Sequence, residues 1–190
     1  MIDAPGPTVW LLSADAPTLV LGSAQPAPAG PTSFGPSSFV RRRSGGGAVW
    51  LDPTAVLWVD IFVTAADALW EPDVGRAFWW VGDLWATAID EFGPRVHRSA
   101  LVRTRWSDRV CFAGLGPGEV TVGGRKVVGI SQRRWRAGCL FQCAALLRWD
   151  YEETARRLDV PAGDLEEAAA GVGAGRDALL DAFLDALRHF

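Results

Sequence analysis

Nine consecutive residues, Ala55-Val56-Leu57-Trp58-Val59-Asp60-Ile61-Phe62-Val63, are apolar at every position but one. A strand with one wet face alternates polar and apolar side chains, so this run must be covered on both faces. It predicts a central strand, and the rest of the chain has to supply two covering layers. The helical layer begins with Pro72 to Phe92. There Val74, Ala77, Phe78, Val81, Leu84, Trp85, Ala88 and Ile89 recur at helical spacing over about five turns, closed by Gly93-Pro94.

Further strands are expected at Thr8 to Leu12, Thr18 to Leu21, Ser38 to Arg43, Ala48 to Leu51, Leu101 to Arg105, Val110 to Ala113 and Leu140 to Leu147. A Pro/Ala/Gly-rich loop separates the second and third, from Gln25 to Pro36. Val120 to Val122 and Arg125 to Ser131 read as a hairpin, with Gly123-Gly124 supplying the positive φ angles of a tight turn. From Tyr151 the pattern turns helical, ending in Asp177 to Phe190. Strands and helices mix without regular βαβ alternation. That predicts an α+β fold, with helices flanking one main sheet. The expected organisation is one domain over residues 1–150, with 151–190 a helical extension packed on it.

The net charge of −3 gives no whole-molecule attraction to nucleic acid or an anionic membrane. No segment approaches the roughly 20 apolar residues of a membrane span, and Asp3 stands where a signal peptide would carry positive charge. A cytoplasmic protein is expected. Cys111, Cys139 and Cys143 are odd in number and lack C-x-x-C spacing, against a disulfide framework or a structural zinc site. No metal site is expected.

Of the 19 basic residues 18 are arginine, which leaves Lys126 as the one lysine. Arginine replaces lysine freely on a wet surface, but not where a compact ammonium is required. Strict alternation places Lys126 with Val128 and Ile130 on one face of its strand, and Arg125, Val127, Gly129 and Ser131 on the other. An ammonium among β-branched residues is disfavoured unless an anion pairs with it. The alternative is an edge lysine that blocks unwanted strand pairing. Gly129, three residues on, suggests close approach by a ligand or another segment.

Arg41-Arg42-Arg43-Ser44-Gly45-Gly46-Gly47 is the second candidate. Three glycines let the backbone approach a ligand, and the arginines could hold a carboxylate or phosphate. No Gly-Lys-Ser/Thr follows, so it is not a Walker loop. A plain hairpin turn with solvated arginines is the alternative. Cys111 stands at an expected strand end before a Gly/Pro loop; a free cysteine is more often a small buried hydrophobe. Asp60 is the odd charge in the central strand, either paired with an arginine or placed to receive a proton.

Together these segments resemble the catalytic domain shared by biotin and lipoate ligases and by lipoyl and octanoyl transferases. Arg41 to Trp50 resembles that family's R-R-x-S-G-G-G-A-V-aromatic signature. Gly123 to Ser131 resembles its G-x-K-h-x-G-x-(A/S) signature, and Leu21-Gly22-Ser23-Ala24-Gln25 an upstream G-x-x-Q element lining the acyl pocket. The match runs from about Val9 to about Leu147, closest to lipoate–protein ligase A and the octanoyltransferases. It implies the fold of class II aminoacyl-tRNA synthetases and biotinyl/lipoyl protein ligases.

The resemblance also implies roles. Lys126 would hold the acyl carbonyl or an adenylate phosphate, with Arg42, Ser44, Gly45, Gly46, Gly47, Gly22, Gln25 and Gly129 lining the pocket. In one octanoyltransferase class a Cys-Phe pair precedes the lysine signature; Cys111-Phe112 resembles it, and Glu119 is in step. That class implies an octanoyl or lipoyl thioester on Cys111, loaded from acyl carrier protein. The acceptor would be a lysine of a lipoyl carrier domain, in a dehydrogenase E2 subunit or the glycine cleavage H protein. No permanently bound cofactor is implied. The ligase alternative would use ATP and Mg to form lipoyl-AMP in the same pocket. Relatives carry a histidine and glycine where this chain reads Gln142-Cys143-Ala144, so a non-catalytic acyl-binding module is a third expectation.

Overall fold

A computed structural model describes residues 6–27 and 39–190. The strands are β1 (Thr8–Leu12), β2 (Thr18–Leu21), β3 (Phe39–Arg41), β4 (Val49–Leu51), β5 (Val56–Thr64), β6 (Pro94–Val96), β7 (Val120–Val122), β8 (Arg125–Trp135) and β9 (Gly138–Leu146). The helices are α1 (Ala77–Ala88), α2 (Tyr151–Leu158) and α3 (Arg176–Leu187). Six strands form an antiparallel sheet in the order β1-β5-β9-β8-β7-β6, and β3-β2-β4 form a small sheet with β2 parallel to β3. The α+β expectation holds, with the only parallel strand pair among the described residues in the small sheet.

The apolar run becomes β5, central between β1 and β9 as its two-sided hydrophobicity requires. Its two faces differ. Leu57, Val59, Ile61 and Val63 pack with Phe141, Cys143 and Ala145 of β9 under α1 and α3, around Val81, Leu84, Trp85 and Phe183. Val56, Trp58 and Asp60 turn the other way, as do their cross-strand partners Leu146, Ala144 and Gln142. That face meets the small sheet and the turns before it.

Four expectations need correction. The helix expected from Pro72 starts at Ala77, because the Asp73 carboxylate accepts the Arg76 N–H and its carbonyl accepts the Ala77 N–H, making a turn of the intervening residues. It ends as expected, after a short 3₁₀ turn, at Gly93 with φ of 64° before Pro94. Leu101 to Arg105 and Val110 to Ala113 are not strands. They contribute single bridges, Val102 with Leu115 and Val110 with Ala48, and residues Cys111–Ala113 coil into a 3₁₀ turn. Pro28 to Pro36 of the expected loop, and Ser38, lie outside the described residues.

The fourth correction concerns Lys126. Strand β7 pairs Val120 with Val128 and Thr121 with Lys126, so Val127 is an extra residue, a β-bulge. Beyond a bulge the alternation shifts by one. Lys126 therefore shares a face with Gly129 and Ser131, and not with Val128 and Ile130. A Cβ on Gly129 would lie 3.3 Å from the Lys126 Cε. The C-terminal segment fastens this bulge: the Lys126 N–H donates to Ala168 O (3.3 Å) and its carbonyl accepts from the Ala170 N–H (3.0 Å).

Candidate active site

Between the main sheet's uncovered face and the small sheet lies a cavity of about 580 Å³. Trp58, Gln142, Ala144, Gly129 and Ser131 form its sheet wall, facing the Gly45–Gly47 bend and the turn at Cys111. Its size suits a small ligand.

Lys126 enters from the bulge. Its side chain is 3% exposed, and its ammonium lies 2.7 Å from Glu119 Oε2, whose side chain is 7% exposed. It also donates to the carbonyls of Cys111 and Gly114, each at 3.1 Å, and sits 5.0 Å from the centroid of the Phe112 ring. An ammonium has three N–H donors, and all three are used. The anion that a buried ammonium demands is thus Glu119. Glu119 is held in turn by the N–H groups of Gly116 (2.6 Å) and Ile130 (3.2 Å). The edge-lysine alternative falls away, since Lys126 points inward.

Cys111 lines the same cavity at the start of its 3₁₀ turn. Its N–H donates to Ala48 O (2.9 Å) and its carbonyl receives Lys126, so the turn is tied to both the glycine bend and the lysine. Gly47 permits this closeness: a Cβ there would lie 2.7 Å from the Cys111 nitrogen. The other two cysteines keep their core reading. Burial pushes the Cys143 thiol up to about 12, against a hydrogen bond with Trp85 and with help from the Asp60 charge. Burial likewise pushes Cys139 up to about 12 against the pull of Arg134.

The arginines are placed differently from the expectation. Arg42 lines the cavity, but its guanidinium donates to the carbonyls of Gly45 (2.7 Å) and Gly47 (2.8 Å), bracing the bend. Arg41 donates to the carbonyls of Gly22 (3.0 Å) and Gln25. Ser44 and Gly22 lie behind the lining. The Ser44 hydroxyl joins that of Ser131 at 3.0 Å, and Gly22 backs directly onto the Gly46 carbonyl. Gln25 is on the rim, where it accepts the Gly22 N–H and donates to Asp108 O and Arg109 O.

Sequence reasoning left two cavity groups without a role, Gln142 and Trp58. Both donate to Asp60: Trp58 Nε1 to Oδ1 at 2.7 Å and Gln142 Nε2 to Oδ2 at 3.3 Å. Asp60 is 7% exposed, and burial raises its carboxyl above the usual range although both hydrogen bonds pull it down. Of the two alternatives posed for it, no arginine pairs with it among the described residues, and its raised pKa is in the direction that receiving a proton requires. Its unbroken apolar surroundings in the sequence were the available signal.

The profile of the lipoyl protein ligase A/B catalytic domain matches residues 2–184. The chain belongs to this family. It is therefore an enzyme of lipoyl or octanoyl transfer. The match extends well past Leu147, taking in the segment that fastens Lys126 and most of α3.

Solved structures carry the same fold. Lipoate-protein ligase A bound with ATP superposes with a TM-score of 0.73 at 17% identity, covering 96% of this chain and 72% of that one. A bipartite lipoate protein ligase from Thermoplasma acidophilum, described with its E2 lipoyl domain, gives 0.70 at 16% identity and 96% and 70% coverage. A putative lipoate protein ligase from T. acidophilum with bound lipoic acid gives 0.68 at 15% identity, covering 96% and 71%. No curated protein shows a significant sequence match. Among the described residues, no helix of this lipoyl protein ligase A/B domain is long and apolar enough to cross a membrane.

Proposed function

We propose that this family member is a cysteine-dependent octanoyl or lipoyl transferase. Cys111 carries the acyl group as a thioester, and Lys126 holds the acyl carbonyl. The product is an amide on a lysine of a lipoyl carrier domain. The observation that carries this reading is that Cys111 and the buried Lys126 share one cavity, with the ammonium anchored on the cysteine's own carbonyl.

The chemistry follows from the contacts. A thioester forms when the Cys111 sulfur attacks the donor thioester and the donor thiol leaves. When the acceptor amine attacks, negative charge grows on the acyl oxygen, and a fixed cation in a sheltered site stabilises it. Lys126 already uses its three donors, so the acyl oxygen displaces one neutral carbonyl, Cys111 O or Gly114 O. Glu119 stays in place and keeps the ammonium charged and aimed. Gly45, Gly46, Gly47, Arg42, Gln25 and Gly129 shape the slot; Ser44 and Gly22 hold the bend that forms it. Acyl carrier protein is the proposed donor, and an E2 subunit or H protein the proposed acceptor.

The test is intact-mass measurement after mixing with octanoyl–acyl carrier protein. An octanoyl adduct removable by hydroxylamine, lost in Cys111→Ala, is expected; a folded Cys111→Ala protein with full transfer activity refutes the reading. A second reading, an ATP-dependent lipoate–protein ligase, draws on likeness to the ligase solved with ATP. It requires lipoate-dependent pyrophosphate exchange on ATP, with Mg present.

A further inference from the structure

We infer that Gln142 and Asp60 form the docking site for the incoming primary amine, the side-chain nitrogen of the acceptor lysine. The inference rests on the acyl-transfer reading above and names the group within this chain that receives its second substrate.

Asp60 is a buried carboxylate whose two oxygens are both taken by neutral N–H donors. No cation pairs with it among the described residues, its contacts being Trp58 and Gln142. A buried anion without a counter-ion is costly, and the cost is recovered when a cation arrives. An acceptor lysine arrives as a cation.

Gln142 connects that charge to the cavity. A carboxylate only accepts hydrogen bonds, so the NH₂ end of the Gln142 amide must face Asp60. The amide's Oε1 is left at the other end, and no partner is seen for it among the described residues. Gln142 lines the cavity, where an oxygen acceptor suits an N–H donor and suits nothing on an alkyl chain.

Distance agrees. Gln142 lies across from Ser131, two residues along β8 from Gly129, which touches the Lys126 stem. Two residues along a strand and one strand across make a diagonal of about 8 Å between backbone positions. Gln142, Lys126 and Cys111 all line the one cavity.

Two protons leave the nitrogen. The arriving ammonium gives the first to water at the cavity mouth. The neutral nitrogen then bonds to the thioester carbon, the carbon–sulfur bond breaks, and the departing Cys111 sulfur takes up the second as the amide forms. Gln142 Oε1 accepts one amine N–H and points the nitrogen lone pair at the acyl carbon. Asp60 is a positioning residue: it fixes which end of the amide faces the cavity. Asparagine at position 60 would offer its own NH₂ and carbonyl and remove that constraint.

The test separates two half-reactions on the full chain. The enzyme is loaded from octanoyl–acyl carrier protein, or from lipoate and ATP if that route is the one it follows. The loaded protein is then mixed with apo lipoyl domain in a single turnover. Gln142→Leu and Asp60→Asn should load within about threefold of the parent and transfer about ten- to a hundredfold more slowly, the loss expected for one charge-assisted hydrogen bond. Loading slowed as much as transfer, or transfer at the parental rate in both variants, overturns the amine site and leaves the acyltransferase reading intact. A parent that loads by neither route overturns both. Melting curves check that each variant is folded, and either variant alone suffices.

Discussion

The two faces of the main sheet are built from the same strands to opposite ends. On one, Val59, Ile61, Phe141 and Cys143 meet Val81, Leu84, Trp85 and Phe183, every one at most 2% exposed. Two helices close it, leaving the indole N–H groups of Trp80 and Trp85 buried without an oxygen or nitrogen acceptor. On the other, Trp58, Gln142, Ala144 and Gly129 look into open volume, with Asp60 buried behind Trp58 and Gln142. Only one residue in two along a strand builds core; its neighbour is free to build a site.

The sharpest way to break this division is at the buried ion pair. Lys126→Ala removes the one cation facing Glu119 and strands a carboxylate that is 7% exposed on its side chain. Breaking a buried pair from one side costs about 3–5 kcal/mol, so denaturant unfolding should show a loss of that size together with loss of transfer. Lys126→Met combined with Glu119→Leu should regain most of the stability and none of the activity. If the double variant stays as unstable as the single, the pair is not what holds the cavity wall.

Substitutions matched across the sheet test the division itself. Trp85→Ala, under α1 and α3, should cost about 3–5 kcal/mol in unfolding and leave the transfer rate of the remaining folded protein within about twofold. Ala144→Leu, on the cavity side, should change stability by less than about 1.5 kcal/mol because the added carbons enter open volume. It should nonetheless abolish acyl loading. Equal stability losses in the two variants would mean that the cavity side is packed core.

A smaller effect is expected at Gly129. Gly129→Ala puts a methyl 3.3 Å from the Lys126 Cε and the Phe112 Cζ, tighter than ordinary contact. The lysine stem must yield by a few tenths of an ångström. Stability should fall by about 1 kcal/mol and transfer by about tenfold, since a small misplacement of the holding group is enough to lose rate. Unchanged transfer would show that the ammonium is not held to a close tolerance.

The central strand, the β7–β8 hairpin, α3 and most of the strands were legible because periodicity and turn glycines are local signals. Lys126 was legible for another reason: it is the chain's only lysine within an arginine-rich composition. Its facing was not, because Val127 is a bulge and a bulge leaves no mark in a run of β-branched residues. Nor was the Cys111 turn. Arg-Val-Cys-Phe-Ala reads as strand, and only the pull of Lys126 on two carbonyls and of Ala48 on the Cys111 N–H makes it coil. Arg42 looked like a ligand for an anion because sequence cannot show that three backbone carbonyls already face it. The bulge and the Cys111 turn are long-range contacts overriding a local pattern. Arg42, by contrast, is taken up largely by carbonyls three and five residues away, in a bend whose orientation the sequence does not show.

The smallest effect is expected at Asp60, where the cavity face of β5 carries a charge. Asp60 is the carboxylate on the cavity face of β5, and burial raises its pKa in the folded protein, against the hydrogen bonds from Trp58 and Gln142. A raised pKa means the folded state holds the proton more tightly than the unfolded chain. The stability this gives is complete below the ordinary carboxylate pKa and is lost as pH rises through the raised one. Asparagine at this position does not titrate. Other carboxylates, such as Asp52 and Glu153 with their pKa values held low by hydrogen bonds and nearby arginines against burial, titrate alike in both proteins and cancel in the difference. The stability of the parent relative to Asp60→Asn should therefore decline from about pH 4 upward and level off once the pH passes the raised pKa, measured by denaturant unfolding at each pH. A difference that rises over that range would mean that a cation faces Asp60 after all. The cavity wall would then already hold a counter-ion, leaving no unpaired charge for an incoming amine to meet.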